Sequence, residues 1–281
     1  MIEYIILAIL QGLFEWLPIS SSGQVMIFST NFLGIPPEEA YSLSIWLHLG
    51  TTLAVIIKMR KDYIQIVKSL LPSHFKSTDV DIKKRNWLIY ATIGTVITGV
   101  PLYFIFKIAI LSNFSANQGD ILTLIISGFL VITGVVLLIF KKRYGKKEID
   151  SSEIRTIFKD STISGLFQGV AILPGISRSG FTVSSILLEN YKQDQALKLS
   201  FLMSVPVALG SIAMDIIFGE GSVFGTLDIL TIGAVTLVSF VIGYFSMGVL
   251  LKISQKVDFS YFCIAYGIIS FVIIVPIMLI A

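Results

Sequence analysis

Arg178 stands between two serines in Ser177-Arg178-Ser179-Gly180, directly after Pro174-Gly175-Ile176 and within otherwise apolar surroundings. Its planar guanidinium presents a fork of donors suited to phosphate oxygens. A second cluster, Ser20-Ser21-Ser22-Gly23, follows Pro18-Ile19 in an equally apolar stretch and adds hydroxyl donors. Upstream, Gln11 and Glu15 are four residues apart and share a face if that segment is helical. Glu15 would then precede the serines by about one and a half turns. Its carboxylate could hold Mg²⁺ together with substrate phosphates and water, stay protonated, or pair with Arg178. An arginine at membrane depth costs about 2.5–3.5 kcal/mol and needs a partner. Two partners suit it: a bound phosphate, or Glu15 in a purely structural pair. His48, in Leu47-His48-Leu49-Gly50, could likewise be a helix–helix hydrogen-bonding residue.

The elements that must position these groups follow from composition. The chain has 281 residues, 54% hydrophobic and 14% charged, against about 25% charged in soluble domains. Its mean hydropathy is +0.86. These values exclude an ordinary soluble enzyme, a disordered chain and a nucleic-acid binder, and predict an all-α integral membrane protein. Cys263 is the only cysteine, so neither an intramolecular disulfide nor a multi-thiolate metal site is expected. The first apolar segment lacks a basic n-region and is not read as a removable signal peptide. Six stretches are long enough to span: 42–59, 87–110, 121–140, 196–218, 228–251 and 259–281. Two regions break too early, at Pro18–Gly23 and at Pro174–Gly180, and each is followed by a second short apolar run. The prediction is a pair of re-entrant helical hairpins, 4–34 and 162–188, buried in protein or lining a cavity.

The basic residues agree with this map. Residues 58–85 carry eight, residues 141–159 carry seven, and Lys192, Lys198, Lys252 and Lys256 fall on the same side of a six-span chain. The positive-inside rule makes that side cytoplasmic. Residues 61–75 mix charges with Ile64, Ile66, Val67, Leu70 and Leu71 and predict a helix lying on the inner leaflet. Asp215 is expected to cap or pair locally, and His74 needs no role.

The two breaks also align at an offset of 157, Gln11-Gly12 with Gln168-Gly169 and Ile19–Gly23 with Ile176–Gly180. Each is followed by three spans, so the halves 1–150 and 151–281 are expected to form an inverted-topology repeat whose tips meet near the bilayer centre. A half-helix starting at each tip would aim its N-terminus at an anion, and Gly23 and Gly180 would allow close approach of a ligand. Broken helices of this kind also suit a transporter of a phosphate-bearing lipid.

Gln11-Gly-Leu-Phe-Glu15-Trp-Leu-Pro-Ile-Ser-Ser-Ser-Gly23 resembles the first signature of the undecaprenyl-diphosphate phosphatase (bacitracin-resistance, BacA-type) family. Leu173-Pro-Gly-Ile-Ser-Arg-Ser-Gly-Phe-Thr182 resembles its second, and the likeness extends to Ser200-Phe-Leu-Met-Ser-Val-Pro206. The resemblance implies hydrolysis of a polyprenyl diphosphate lipid to the monophosphate and inorganic phosphate, recycling the carrier for envelope polymers. It implies a divalent cation, Mg²⁺, at Glu15, a homodimer in the cell membrane, and a site facing outside. Carried over by position, Ser21 would be the catalytic serine, with a base-assisted water as the rival nucleophile. Arg178 would stabilise charge on the transferred phosphoryl group. Ser177, Ser179, Gly180 and Thr182 would bind the diphosphate from one tip, and Gln11, Ser20, Ser22, Gly23 and Gln24 from the other. This chain departs from the family pattern at Gln24, where a histidine usually follows the first glycine. His48 is expected to take over that role and activate Ser21 or water.

Overall fold

The computed structural model describes residues 1–70, 77–111, 119–140, 145–219, 222–223, 227–254 and 259–280. His74, Lys76, Lys141, Lys142, Arg143, Glu220, Lys256 and the end of the expected interfacial helix, 71–75, lie outside the described residues. The described elements are helices. In chain order they are α1 (Ile2–Phe14), α2 (Ser21–Leu33), α3 (Pro37–Lys58), α4 (Arg60–Ser69), α5 (Asp79–Ile105), α6 (Gly119–Phe140), α7 (Ile154–Val170), α8 (Arg178–Leu188), α9 (Gln193–Phe218), α10 (Ile229–Ser254) and α11 (Phe259–Ile280). A turn of π-helix, Phe106–Ile110, continues α5.

Among the described residues five helices are long and apolar enough to cross a membrane: Pro37–Lys58, Asp79–Ala109, Gly119–Ile139, Gln193–Phe218 and Ile229–Val249. Their outward faces carry exposed Ile93, Val96 and Ile97 on α5 and Leu237 and Phe245 on α10. Water would penalise such faces, whereas lipid does not, so the chain is an all-α membrane protein crossing the bilayer several times. Apolar length located the helices but not their ends. α5 starts at Asp79, well before the apolar run at 87, because Thr78 and Asp81 form a reciprocal capping box. The helix therefore carries its charged first turns beyond the apolar zone. α7 likewise begins at Ile154, ahead of the predicted 162.

Both predicted breaks are present. α1 ends at Phe14 rather than 17, and the Glu15 N–H caps it by donating to the Gln11 carbonyl. Pro18 biases the residue before it away from helix. Ser20 then takes a left-handed conformation, φ 58°, before α2 starts. The second break holds Gly175 at φ +101°, and a Cβ there would stand 2.3 Å from the Ile126 carbonyl oxygen. Only glycine meets both demands.

Packing places the breaks at the centre. α7 lies along α5, and α1 lies along α10. α3 also packs along α10 so closely that a Cβ on Gly50 would stand 2.4 Å from the Thr236 carbonyl oxygen. Small residues at such crossings let helix backbones approach and supply dispersion contact where lipid offers no hydrophobic drive. α6 and α11 pair with each other, and α6 also packs on α2 and α8.

Candidate active site

The cavity between the two breaks has a volume of about 100 Å³. That is room for several waters or a phosphoryl group. Four of its groups come from α1, the first break and α2: Glu15, Ser20, Ser21 and Ser22. Ser177, Arg178 and Ser179 come from the second break and the start of α8, and His48 comes from α3.

Glu15 organises the first wall. Its carboxylate is buried, and Oε2 accepts from Gln11 Nε2 and from Ser21 Oγ, each at 2.7 Å. His48 Nε2 stands 3.3 Å from the same oxygen. The other oxygen, Oε1, receives Arg178 Nη2 from the opposite break. The Arg178–Glu15 pair weighed from sequence thus exists and joins the two breaks. It does not exhaust the arginine, because Nη1 is buried with no hydrogen-bond partner among the described residues. A buried guanidinium nitrogen lacking an acceptor is costly, and a phosphate oxygen would supply one.

His48 is fixed by its own helix. Nδ1 lies 2.6 Å from the Ser44 carbonyl, which can only accept, so that nitrogen carries a proton. The expectation that His48 activates Ser21 directly meets a different geometry. The Ser21 hydroxyl donates to Glu15 Oε2, the oxygen that His48 Nε2 also approaches, so the carboxylate is the base in direct contact with the serine while the imidazole remains in the cavity wall.

Ser20 ties the breaks together, accepting from Gly23 N–H at 3.4 Å and across the gap from Gly175 N–H at 2.9 Å. Ser177 caps α8 by accepting from Gly180 N–H at 3.2 Å, and its own N–H donates to Thr133 on α6. α2 and α8 thus both begin at the cavity, where their helix dipoles favour negative charge.

Several expected binding residues face elsewhere. Gln24 donates to the Ile19 carbonyl at 3.4 Å and is not part of the cavity wall. Thr182 is buried against Ser200, Oγ1 to Oγ 2.9 Å, and also donates to the Arg178 carbonyl. Gln11 reaches the cavity only through Glu15. Gly23 and Gly180 allow close approach, but of protein rather than ligand: a Cβ on Gly23 would stand 2.8 Å from Gly175 N, and one on Gly180 would stand 3.2 Å from Pro18 Cβ. Asp215, expected to cap or pair locally, accepts from nearby Ser222 but also ties α9 to α3 by accepting from Ser42 and Trp46.

Other cavity residues were not anticipated. Tyr41 and Ser44 on α3, Thr95 on α5, and Ser204 and Ser211 on α9 line it. Gln168, noticed only as the repeat partner of Gln11, is also in the wall and donates to Thr95 Oγ1 at 3.0 Å. Isolated polar residues within apolar spans were the available signal. Among the described residues no group of three His, Cys, Asp or Glu side chains could hold a metal. Glu15 is a single carboxylate, which fits a cation shared with substrate phosphates rather than one held by protein alone.

The family model described as "Bacitracin resistance protein BacA" matches residues 4–280. An undecaprenyl-diphosphatase of Methanothrix thermoacetophila is 40% identical over 270 residues, covering 96% of this chain and 95% of that protein. Proteins of the same name from Methanococcoides burtonii and Methanopyrus kandleri are 37% and 36% identical, each over more than nine-tenths of both chains.

Proposed function

This chain belongs to the BacA family of bacitracin resistance proteins, and from that premise we propose that it is a membrane phosphatase. It hydrolyses undecaprenyl diphosphate, or a similar polyprenyl diphosphate, to the monophosphate and inorganic phosphate, which returns the lipid carrier to envelope polymer synthesis. The observation that carries this reading is Arg178 at the junction of two broken helices, half paired by Glu15 and half without an acceptor among the described residues. The relatives above are named for phosphatase activity, and none of these names favours the transporter reading.

In the mechanism, the terminal phosphoryl group enters the cavity and its oxygens take the free side of Arg178, Ser177, Ser179 and the N-termini of α2 and α8. Ser21 Oγ attacks the terminal phosphorus as its proton passes to Glu15 Oε2. The Oγ–P bond forms and the P–O bond to the bridging oxygen breaks, releasing polyprenyl monophosphate. Water then attacks the phosphoserine phosphorus, the Oγ–P bond breaks, and Glu15 returns its proton to Ser21 Oγ, giving inorganic phosphate that keeps the protons of water and regenerating the hydroxyl. Gln11 and His48 hold the carboxylate facing Ser21. A divalent cation, expected to be Mg²⁺, would be held by Glu15 and would neutralise charge on the diphosphate oxygens. Phosphoryl transfer depends mainly on such positioning and charge stabilisation.

The architecture we infer has six spans, with α11 as the sixth, and two re-entrant hairpins, α1/α2 and α7/α8. Packing supports the inverted repeat. Shifting by one half maps α1 to α7, α3 to α9, α5 to α10 and α6 to α11, and the α1–α10 contact then has its counterpart in α7–α5. The basic loops would be cytoplasmic, the site would face outside, and the cell membrane would hold the protein as a homodimer.

The test is phosphate release from long-chain polyprenyl diphosphate by purified protein in detergent. Arg178→Ala should lower the rate on the order of 10²–10³-fold, the usual loss for one charge-stabilising donor. A loss of tenfold or less, or no release by folded native protein, would overturn the reading.

A further inference from the structure

The half-to-half correspondence is uneven, and one departure borders the cavity. α3 is sealed against α10 along its length. Gly50 sits on the α10 backbone, Ser239 donates to the Leu47 carbonyl at 2.8 Å, and Lys58 donates to the Tyr244 carbonyl at 3.1 Å. The corresponding pair in the other half, α9 and α5, touches only over a short stretch. Both helices run away from the basic loops, so the borders of the resulting gap can be placed along them.

Its lower border is Gln168, which bridges the two helices by donating to Thr95 Oγ1 at 3.0 Å and to the Met203 carbonyl at 3.4 Å. Its upper border is the edge-on contact of Phe104 with Phe218, ring centroids 5.4 Å apart, reinforced by Lys107 donating to the Phe218 carbonyl. On α5 the borders are nine residues apart, about 13 Å along the axis. Between them the walls are small or apolar: Gly99 on α5, and Val207, Ala208 and Ser211 on α9, all of which also line the catalytic cavity. Gly210, next along α9, meets open space. Above the cavity Tyr41 closes the way along α3, its hydroxyl donating to the Ile172 carbonyl at 3.3 Å and its ring lying against Phe106 at 5.3 Å.

We propose that this gap between α5 and α9 is the lateral window through which the polyprenyl chain leaves the cavity for the lipid, with Gly99, Val207, Ala208 and Ser211 as its sill. The inference rests on the phosphatase reading for the identity of the occupant. The physical argument is continuity. The diphosphate needs the polar wall built by Glu15, Ser21 and Arg178, and the chain attached to it cannot remain in a space of about 100 Å³. It must cross the protein where small side chains leave the helices loosely packed, as they do between α5 and α9. Apolar walls accept a hydrocarbon chain without desolvating polar groups. The window therefore selects substrates by the lipid they carry, while the tips select the phosphate.

Gly210 is the probe position, since it meets open space beside the sill and does not line the catalytic cavity. Gly210→Cys protein is purified and then alkylated with a bulky maleimide, so that bulk is added after folding. Cys263 is fully buried and serves as the native blank. Alkylation should lower kcat/KM for long-chain polyprenyl diphosphate at least tenfold and leave hydrolysis of isopentenyl diphosphate within twofold. Polyprenyl monophosphate should slow labelling of Gly210→Cys severalfold, whereas inorganic diphosphate should not. Alkylation on the lipid face of α10, at Leu237→Cys, should change neither rate. Equal loss for both substrates, or no protection by the lipid, would overturn the window. Lipid protection without any phosphate release by native protein would instead sink the phosphatase reading and leave the lipid path standing.

Discussion

Glu15 contacts four side chains, and their division between its two oxygens sets what each can do. Gln11, Ser21 and His48 share Oε2, while Arg178 alone holds Oε1. A phosphate entering the cavity competes with Oε1 for the guanidinium and leaves the Oε2 cluster in place. His48→Gln should therefore lower phosphate release moderately, on the order of tenfold, well short of the 10²–10⁴ attributed to a direct acid or base. A drop beyond 10³-fold in steady-state assays would make His48 the base itself. Gln24→His should change turnover little, because Gln24 donates to the Ile19 carbonyl away from the cavity. A large gain in rate would mean that the native chain lacks an adequate base.

At the scale of elements, the site depends on two breaks held in unusual backbone. Gly175→Ala places a Cβ 2.3 Å from a carbonyl oxygen at φ +101°. It should destabilise the protein by about 1–3 kcal/mol, as strained non-glycine positions do. Activity should fall with it, since Ser177 and Arg178 follow directly, and denaturant unfolding in detergent beside the rate assay checks both. α4 offers a second test outside the membrane. Its Asp62 pairs with Lys84 on α5 at 2.8 Å and with Lys198 on α9 at 3.0 Å. Burial pushes the Asp62 carboxyl up, but hydrogen bonds and charge from the two lysines outweigh it and hold the group below its ordinary 3.8. A depressed folded pKa contributes stability that is fully present above the unfolded value and lost as pH falls through the folded one. The difference in Tm between native and Asp62→Asn protein should thus be constant above about pH 5 and shrink toward pH 3. A difference unchanged by acid would show that the pair adds nothing. Exposed Ile64, Val67 and Leu70 give α4 and the residue after it an apolar outer face.

For the whole molecule, the cavity is assembled from both halves of the chain, with the anionic group from one and the cationic group from the other. Neither half could bind and cleave a diphosphate alone. Glu15 is one carboxylate, so a cation shared with substrate should govern rate and not folding. Chelator should therefore suppress phosphate release, and Mg²⁺ restore it, with Tm in the absence of substrate unmoved. A fall in Tm on chelation would reveal a resident metal instead.

The amino-acid sequence alone determined the membrane class, the positions of the apolar helices and the two breaks. Each of these depends on local composition: apolar length, prolines and glycines, and the fourfold spacing that sets Gln11 beside Glu15. The family was legible for the same reason, since its signatures are contiguous strings around those breaks. Tertiary structure decided which groups share the cavity. His48 reaches Glu15 only because α3 crosses the first break, and Ser21 turns to the carboxylate rather than to the imidazole. Thr182 and Gln24 point into packing, although their motif neighbours face the cavity. Thr95, Ser204 and Ser211 enter the wall as isolated polar residues of apolar spans, and Tyr41 from just ahead of one. Such contacts depend on how helices cross and rotate against one another, and that is set by small-residue packing at sites such as Gly50, which fixes α3 against α10 and with it His48.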